Sequence, residues 1–451
     1  MKKTTKRVLG IIFFLTALTI LASCGVPAVT DANPPATADT ALKGEFNVRD
    51  AVLERFLRYV AIDTQSEHDS DTVPSTAKQL ELARMLVDEC NALGLTEVKM
   101  DEFGIVTATL PANTDADVPV LGLLAHMDTA PDFSGANVVA QVFENYDGND
   151  LALSDSVVLK VDMFPELKNY IGQTIITASG DTLLGADDKS GIAIILTAME
   201  YFIRHPEIER GKIRIAFTVD EETGSGIEFF DVESFGVDFG FTVDGGPIGE
   251  LEYENFNAAF ASFNIIGIST HPGSAKDVMV NAVLLAAEII DAFPADERPA
   301  TTEGHEGFYH VDSITGDVSF ASLHLLIRDH DEDMFASRKA FVAGLADVFN
   351  EKYGEGTVSV EIVDTYYNML KMIPSDIIEF AKAAFIEAGV EPLIVPIRGG
   401  TDGARLSYLG LPCPNIFAGG HNFHGPYEFI PLESMEKSVE VIINMGNLLL
   451  R

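Results

Sequence analysis

The chain has 451 residues, a formal net charge of −39 and 47% apolar side chains. That length exceeds one ordinary core and suggests two or three domains, and the apolar fraction is enough to fill them. So acidic a surface repels nucleic acid and anionic lipid headgroups and excludes both as partners. Cys24, Cys90 and Cys413 are too few and too scattered for a disulfide framework or a thiolate metal site.

Lys2, Lys3, Lys6 and Arg7 head an apolar run from Val8 to Leu21, followed by Ala22-Ser23-Cys24, the order of a secretory signal. The run is short for a spanning helix, whose apolar stretch is about 20 residues. Leu21-Ala22-Ser23-Cys24 resembles a bacterial lipobox. It implies cleavage before Cys24, lipidation of that residue, and an extracytoplasmic place in the bacterial cell envelope with the lipid as the only membrane attachment. An uncleaved anchor and ordinary secretory cleavage are the alternatives. Residues 1–23 are then a signal peptide, and residues 24–44, rich in Pro, Ala, Thr and Asp, a flexible tether that cannot form a core.

Helical periodicity begins at Arg49 to Leu57, and a second amphipathic helix is predicted from Ser75 to Leu93, closed by Gly94. Val118 to Ala125 is an almost unbroken apolar run, as in a strand buried on both faces of a sheet, and His126 lies at its C-terminal end. Ile213 to Val219 reads as a strand ending at Asp220-Glu221-Glu222, and Phe239 to Val243 as one ending at Asp244. Lys189 to Arg204 reads as a helix whose first turn lies beside Asp187 and Asp188, where the positive end of the helix dipole favours carboxylates. In open α/β sheets ligands gather beyond the carboxyl ends of strands, so these segments aim at one edge.

From about Glu252 the pattern changes. The alternating stretch Ala259 to Ile265 is followed by a predicted helix over Ala275 to Phe293, a strand over Asp317 to Arg328, a helix over Asp333 to Tyr353 and a strand over Val358 to Val363. This fits an inserted α+β domain. A helix over Ser375 to Ala388, the segment around Leu393 to Ile397 and a last helix over Leu432 to Leu450 return to the first style. The expected fold is α/β: a mixed, largely parallel sheet flanked by helices, formed by residues 45–251 and 366–451 and interrupted by a lid or dimerisation domain at 252–365.

Five short segments carry metal-binding side chains at plausible strand ends: His126-Met127-Asp128, Asp187-Asp188-Lys189, Asp220-Glu221-Glu222, Asp244-Gly245-Gly246 and Asn422-Phe423-His424-Gly425. Imidazole and carboxylate suit borderline-soft zinc where thiolates are absent. Two ions sharing a bridge need about five such ligands, and the chain supplies that set once. A compact His-Glu-x-x-His signature is absent from the sequence.

Over about residues 48–450 the sequence resembles the peptidase T family of bacterial tripeptide aminopeptidases, within the larger group of two-zinc aminopeptidases, carboxypeptidases and deacylases. The stretches that carry the likeness are His126 to Thr129, Leu184 to Lys189, Thr242 to Gly246, His271-Pro272-Gly273, Pro396 to Gly403 and Asn422 to Gly425. The resemblance implies two Zn2+ ions bridged by Asp187, with His126 and Asp244 completing one site and Glu222 and His424 the other. Mn2+ or Co2+ would accept the same ligands. It also implies a cis peptide bond after Asp187 and Glu221 as general base. Asp128, two residues after His126, fits the role of fixing the imidazole tautomer through its other ring nitrogen. In the inserted domain His271 resembles a donor to a developing oxyanion. Arg328 and Arg398 are candidates for clasping a peptide's C-terminal carboxylate, and Asn281 for an added amide donor.

Two departures stand out. His421 occupies a place where the family more often has an aromatic, and the lipobox and tether are absent from its usual cytoplasmic form. The expectation is a lipid-tethered two-zinc exopeptidase that removes the N-terminal residue from short peptides, tripeptides first, with homodimer formation through the inserted domain. A dipeptidase, carboxypeptidase or N-deacylase with the same chemistry is the alternative, and a non-catalytic peptide-binding lipoprotein a more distant one. An intact Glu221 with a full ligand set argues against the latter.

Overall fold

Leu121–His126 and Ile213–Thr218 are buried at every residue, and Phe239–Gly245 is buried except at Asp244. Strands without a polar face must be covered on both sides, which places them at the centre of a layered fold. The three run parallel, with Leu121–His126 in the middle. Val106–Leu110 and Thr96–Met100 add antiparallel strands on one flank, and Asn415–Phe417, Glu250–Glu252 and Leu393–Ile394 extend the other into a mixed eight-stranded sheet. The expected α/β class is what this sheet and its flanking helices form. The computed structural model describes residues 46–451, so the expected signal peptide, tether and Cys24 lie outside the described residues. Among the described residues no helix is long and apolar enough to cross a membrane.

Helix Ala186–Arg204 is buried around most of its circumference, as an apolar helix must be when layers close on it from several sides. It packs on strands Leu121–His126 and Phe239–Gly245 and against helices Val48–Val60 and Leu432–Leu448. Its close approach to the sheet depends on Gly191, where a Cβ would collide with the Val243 carbonyl and the Asp188 carboxylate. The start of this helix is thereby pressed against the end of the strand that carries Asp244.

The second sheet is antiparallel throughout, in the order Phe308–Gly316, Phe320–Asp329, Asn257–Ile266, Val358–Tyr366. It has its own core, with Phe263, Ile265, Leu323 and Leu325 against Ile289 and Phe335 of helices Ala282–Asp291 and Glu332–Tyr353. Three asparagines tie together the two points where the chain enters and leaves this layer. Asn255 N–H donates to Asn368 Oδ1 (3.3 Å), Met369 N–H to Asn255 Oδ1 (2.7 Å) and Asn368 N–H to Asn257 Oδ1 (3.0 Å).

Some boundaries differ from the sequence expectation. The helix predicted over Ala275 to Phe293 is only Ala282–Asp291, because the Asn281 side chain accepts from Val283 N–H and Leu284 N–H and caps it there. The second helix begins at Gln79 rather than Ser75, since Ser75 and Gln79 are drawn into a polar contact with Asp220; Gly94 closes it in the left-handed conformation (φ 82°). Strand Phe308–Gly316, unexpected from its polar sequence, is an edge strand with mostly exposed side chains.

Candidate metal centre and active site

Four of the five ligand segments end strands or begin a helix at one edge of the main sheet, and the fifth is the turn from His421 to Glu428. His126 Nε2 lies 2.9 Å from Asp187 Oδ1 and 3.5 Å from Asp244 Oδ1. His424 Nε2 lies 3.0 Å from Glu222 Oε2 and 3.3 Å from Asp187 Oδ2. Two groups of ligand atoms result, His126–Asp187–Asp244 and Asp187–Glu222–His424, each gathered within 4.8 Å. Asp187 belongs to both, one oxygen to each. The Asp187–Asp188 peptide bond is cis.

The chemistry of this donor set fits two divalent ions. Two imidazoles and three carboxylates, none of them thiolate, are ligands that zinc, manganese and cobalt accept. Glu222 Oε1 is buried with no hydrogen-bond partner, an orphan acceptor that a cation would satisfy.

Neighbouring polar groups hold these side chains in place. Asp128 Oδ1 accepts from Glu221 N–H (3.0 Å) and Oδ2 from Glu222 N–H (3.2 Å), while its carbonyl and Oδ1 approach His126 Nδ1 at 3.1 and 3.3 Å. One buried carboxylate thus orients a ligand imidazole and the turn that carries the candidate base. Asp188, expected beside the first turn of the following helix, caps it: Oδ1 accepts from Gly191 N–H (3.0 Å), and Oδ2 accepts from His126 N–H (3.3 Å). Asp220 holds a left-handed backbone (φ 55°) just before Glu221. Its carboxylate accepts from Ser75 N–H and Oγ–H (2.6 and 2.5 Å) and from Gln79 Nε2 (2.6 Å).

Burial and the crowding of like charges shift the acids of this site. Burial pushes the Glu222 carboxyl up to about 8, with the Asp187 charge adding to the effect, and raises Asp244 to about 6. For His424 burial opposes the imidazolium, but hydrogen bonds to Asp187 and Glu222 override it and raise the group to about 11. Burial likewise drives the Glu221 carboxyl well above its ordinary range, with the charges of Asp244, Asp402 and Glu222 in support.

The expected substrate-side residues divide. His271 is exposed, and its Nδ1 accepts from Gly273 N–H (3.1 Å); Asn281 spends its carbonyl on the helix cap. Neither touches the ligand groups. Arg398 is engaged elsewhere: Nη1 donates to the Gly304 and Glu306 carbonyls (2.7 and 3.1 Å), Nη2 to Thr302 Oγ1 (2.8 Å), and the guanidinium lies over Phe256 and Phe308. Arg328 is freer. Its Nε is buried without a partner, and its guanidinium stacks 5.3 Å from the Tyr366 ring, whose hydroxyl is also buried and unpartnered. Burial pushes the Tyr366 hydroxyl up to about 12, with the charge of Glu221 adding slightly and the guanidinium groups of Arg328 and Arg405 opposing. Sequence reasoning passed over Tyr366, since nothing in Asp364-Thr365-Tyr366-Tyr367 distinguishes a strand residue from a site residue. His421 is buried and stacked on Phe429, and its Nε2 accepts from Tyr170 (2.7 Å); burial pulls it down to about 4, so it is a neutral support and not a ligand.

Comparison with known proteins gives the lineage of the chain. Residues 183–446, more than half of the chain, match Peptidase family M20/M25/M40. A protein described as Peptidase T from Desulfitobacterium hafniense (strain Y51) is 57% identical over 399 residues, spanning 88% of this chain and 97% of that protein. A Peptidase T from Shouchella clausii is 54% identical, spanning 89% and 98%. Among solved structures, the aminopeptidase PepT from Bacillus cereus superposes with a TM-score of 0.70 at 22% identity, covering 90% of this chain and 100% of that one. A Bacillus subtilis protein described as a dinuclear metal binding peptidase from the M20 family gives 0.62 at 13% identity, covering 89% and 98%. The structural likenesses speak for the fold, and the sequence likenesses for the lineage: the chain belongs to Peptidase family M20/M25/M40, on its Peptidase T branch.

Proposed function

We propose that the chain is a metallo-aminopeptidase that hydrolyses the N-terminal residue from short peptides, tripeptides first, at a centre of two Zn2+ ions. The observation that carries this reading is the shared Asp187 between two complete ligand groups, with the carboxyl of Glu221 beside them and free of hydrogen bonds among the described residues. His126, Asp187 and Asp244 would hold one ion and Asp187, Glu222 and His424 the other. Such a pair supplies Lewis acidity toward a peptide carbonyl and lowers the pKa of attacking water.

The chain's own residues handle the protons. A Glu221 oxygen accepts the proton of the attacking water and returns it to the nitrogen of the leaving amine. Asp128 keeps that carboxylate aimed by holding the Glu221 and Glu222 N–H groups, and keeps the His126 ring in the tautomer that leaves Nε2 free to ligate. At the other end of the peptide, Arg328 with its unpartnered Nε is the group suited to a terminal carboxylate, and Tyr366 offers a hydroxyl beside it. Arg398, drawn to residues 302–306, shapes that wall rather than leading the clasp. The length preference follows, since only a peptide of one length spans from clasp to ions with its first bond in place. The Staphylococcus aureus structure described as a tripeptidase, at a TM-score of 0.70, has the same overall fold.

The lipobox-like Leu21 to Cys24 supports an enzyme tethered outside the cytoplasm, working on peptides in the envelope. Several acyl chains are needed for stable anchoring, because one holds only marginally.

Glu221→Gln should keep its fold and metal content while turnover falls about 10²–10⁴-fold, the usual scale of general acid–base catalysis. Loss of bound metal in that variant would assign Glu221 to the ligands instead. For the clasp, a tripeptide acid should be cleaved far better than its C-terminal amide. Leaving a buried charge unpaired costs about 2–5 kcal/mol. Arg328→Ala should therefore narrow that gap by slowing the acid, and equal rates on acid and amide in the parent enzyme would refute the clasp.

Metal uptake carries a definite sign with pH. Ligation needs charged carboxylates and neutral imidazoles, yet in the metal-free protein the carboxyl of Glu222 and the ring of His424 hold protons up to about 8 and about 11. Uptake at pH 7 must then release protons, and affinity should climb as pH rises from about 6 through 8. Calorimetry in buffers of different ionisation enthalpy counts the protons, and an affinity indifferent to pH over that window would contradict the assignment. Finally, Cys24→Ser should leave the precursor unprocessed or move the enzyme out of the membrane fraction. A variant that fractionates and migrates like the parent would rule out the lipid tether.

A further inference from the structure

The turn that presents His424 also carries a fully buried acid for which the chemistry above has no use. Glu428 is 1% exposed, and among the described residues no cationic side chain is in direct salt-bridge contact with it. Its Oε2 accepts from Leu184 N–H (2.7 Å) and Gly185 N–H (2.9 Å), and its Oε1 from Ala186 N–H (2.7 Å) and Asp187 N–H (3.2 Å). Four successive backbone N–H groups converging on one point form an anion-binding nest of the kind that elsewhere receives phosphate. Here the anion is the protein's own, supplied from more than 240 residues away along the chain.

The position of that nest matters more than its strength. Leu184 to Asp187 is an irregular segment: Gly185 is left-handed (φ 81°), and Asp187 and Asp188 have non-helical backbone before the regular helix begins. No ladder of helix or sheet hydrogen bonds fixes such a stretch, so the N–H groups need an outside acceptor to define where Asp187 sits. Glu428 is that acceptor, and its own turn carries His424 four residues earlier in the chain. The nearby Lys189, fully buried with its Nζ on the Ile62 carbonyl (2.7 Å), offers Glu428 a countercharge.

We propose that Glu428 is a positioning residue for the metal centre. By seating its carboxylate on the Leu184–Asp187 nest it sets the Asp187 side chain between the two ligand groups and couples that setting to the turn bearing His424. The inference rests on the two-ion reading of the site. It adds a consequence that reading alone does not contain: because Asp187 is common to both groups, a fault at Glu428 weakens both ions together, whereas a fault behind a ligand of one group weakens one.

Glu428→Gln is the informative change. A carboxamide of the same shape has one acceptor oxygen for two pairs of N–H groups, and its NH2 must face the other pair. The metal-free full chain is titrated with Zn2+ by calorimetry against the parent, alongside Glu433→Gln. Glu433 is a remote control that also binds a backbone N–H, that of Thr174 (2.9 Å), and pairs with Arg49. The expected result is a 10–100-fold loss of affinity at both binding steps in Glu428→Gln, the range found for partners that orient metal ligands, and unchanged affinity in Glu433→Gln. Amide hydrogen exchange of the metal-free proteins gives a second reading that needs no ion and no activity: protection at residues 184–187 should drop in Glu428→Gln alone. If Gln at this position does not fold, Glu428→Asp, which keeps the charge but shortens the reach, is read in the same way.

Parent-like affinity with lost thermal stability would make Glu428 a purely structural acid and overturn the proposal, as would weakening of a single step or unchanged protection at 184–187. A parent that takes up no Zn2+ would instead overturn the two-ion reading itself, a failure plainly distinct from a variant that binds as the parent does.

Discussion

Asp187 can face two ligand groups at once only because the chain departs from helical geometry where it enters the long buried helix. The residues around it are non-helical, Gly191 lets the helix press against the Asp244 strand, and Asp188 turns back to cap it. Were the helix regular from Ala186 onward, the side chains of Asp187 and Asp188 would point about 100° apart along a cylinder and the first could not lie between His126 and His424. Each other ligand is placed relative to this carboxylate: His126 and Asp244 from neighbouring parallel strands, Glu222 from the turn after a third, and His424 from a separate turn.

The parallel sheet explains why residues so far apart in sequence converge. Parallel strands end at the same edge, and the apolar centre of such a sheet leaves charged side chains their best places at or just beyond the strand ends. His126 and Asp244 lie at those ends, and Glu221 and Glu222 just after one. Concentrating acids there has an electrostatic consequence, because like charges in a low-dielectric site cannot all ionise. Burial and mutual repulsion raise the Glu222 and Asp244 carboxyls, and bound cations would relieve that repulsion with charge. A site that must exchange protons for metal is one whose loading responds to pH.

The antiparallel layer is joined to the main sheet by polar contacts together with a small apolar cluster of Met369, Ile373 and Ala404. Asn255, Asn257 and Asn368 bind each other's backbone across the two crossings, and His330 Nε2 (3.2 Å from the Ile397 carbonyl) and Arg398 fasten the layer to the glycine-rich turn of the catalytic part. Directional hydrogen bonds fix such a junction more sharply than hydrophobic contact does, since they are lost outright when the geometry is wrong. Arg328 and Tyr366 meet the same turn, Arg328 Nη1 donating to the Arg398 carbonyl (3.5 Å) and the Tyr366 ring lying against Gly400.

The sequence by itself determined the parts that depend on local pattern. Unbroken apolar runs marked the buried strands, Gly94 marked a helix end, and strand ends and a helix start marked the segments of His126, Asp187, Glu222 and Asp244, whereas His424, in a turn, was singled out by its residue type and by the family resemblance. The tertiary structure alone decided what depends on partners far away in the chain. Arg398 looked like a carboxylate clasp from its glycine-rich surroundings, but its guanidinium binds a loop nearly a hundred residues earlier. The helix predicted from Ala275 lost its first turns to a cap at Asn281. Glu428 looked like an unremarkable acid in Pro426-Tyr427-Glu428-Phe429, because a carboxylate's role inside a protein is set by the donors that reach it, and those came from residues 184–187. Periodicity and turn chemistry act over a few residues and leave a trace in any window of the sequence; the satisfaction of buried polar groups is a property of the closed fold and leaves none.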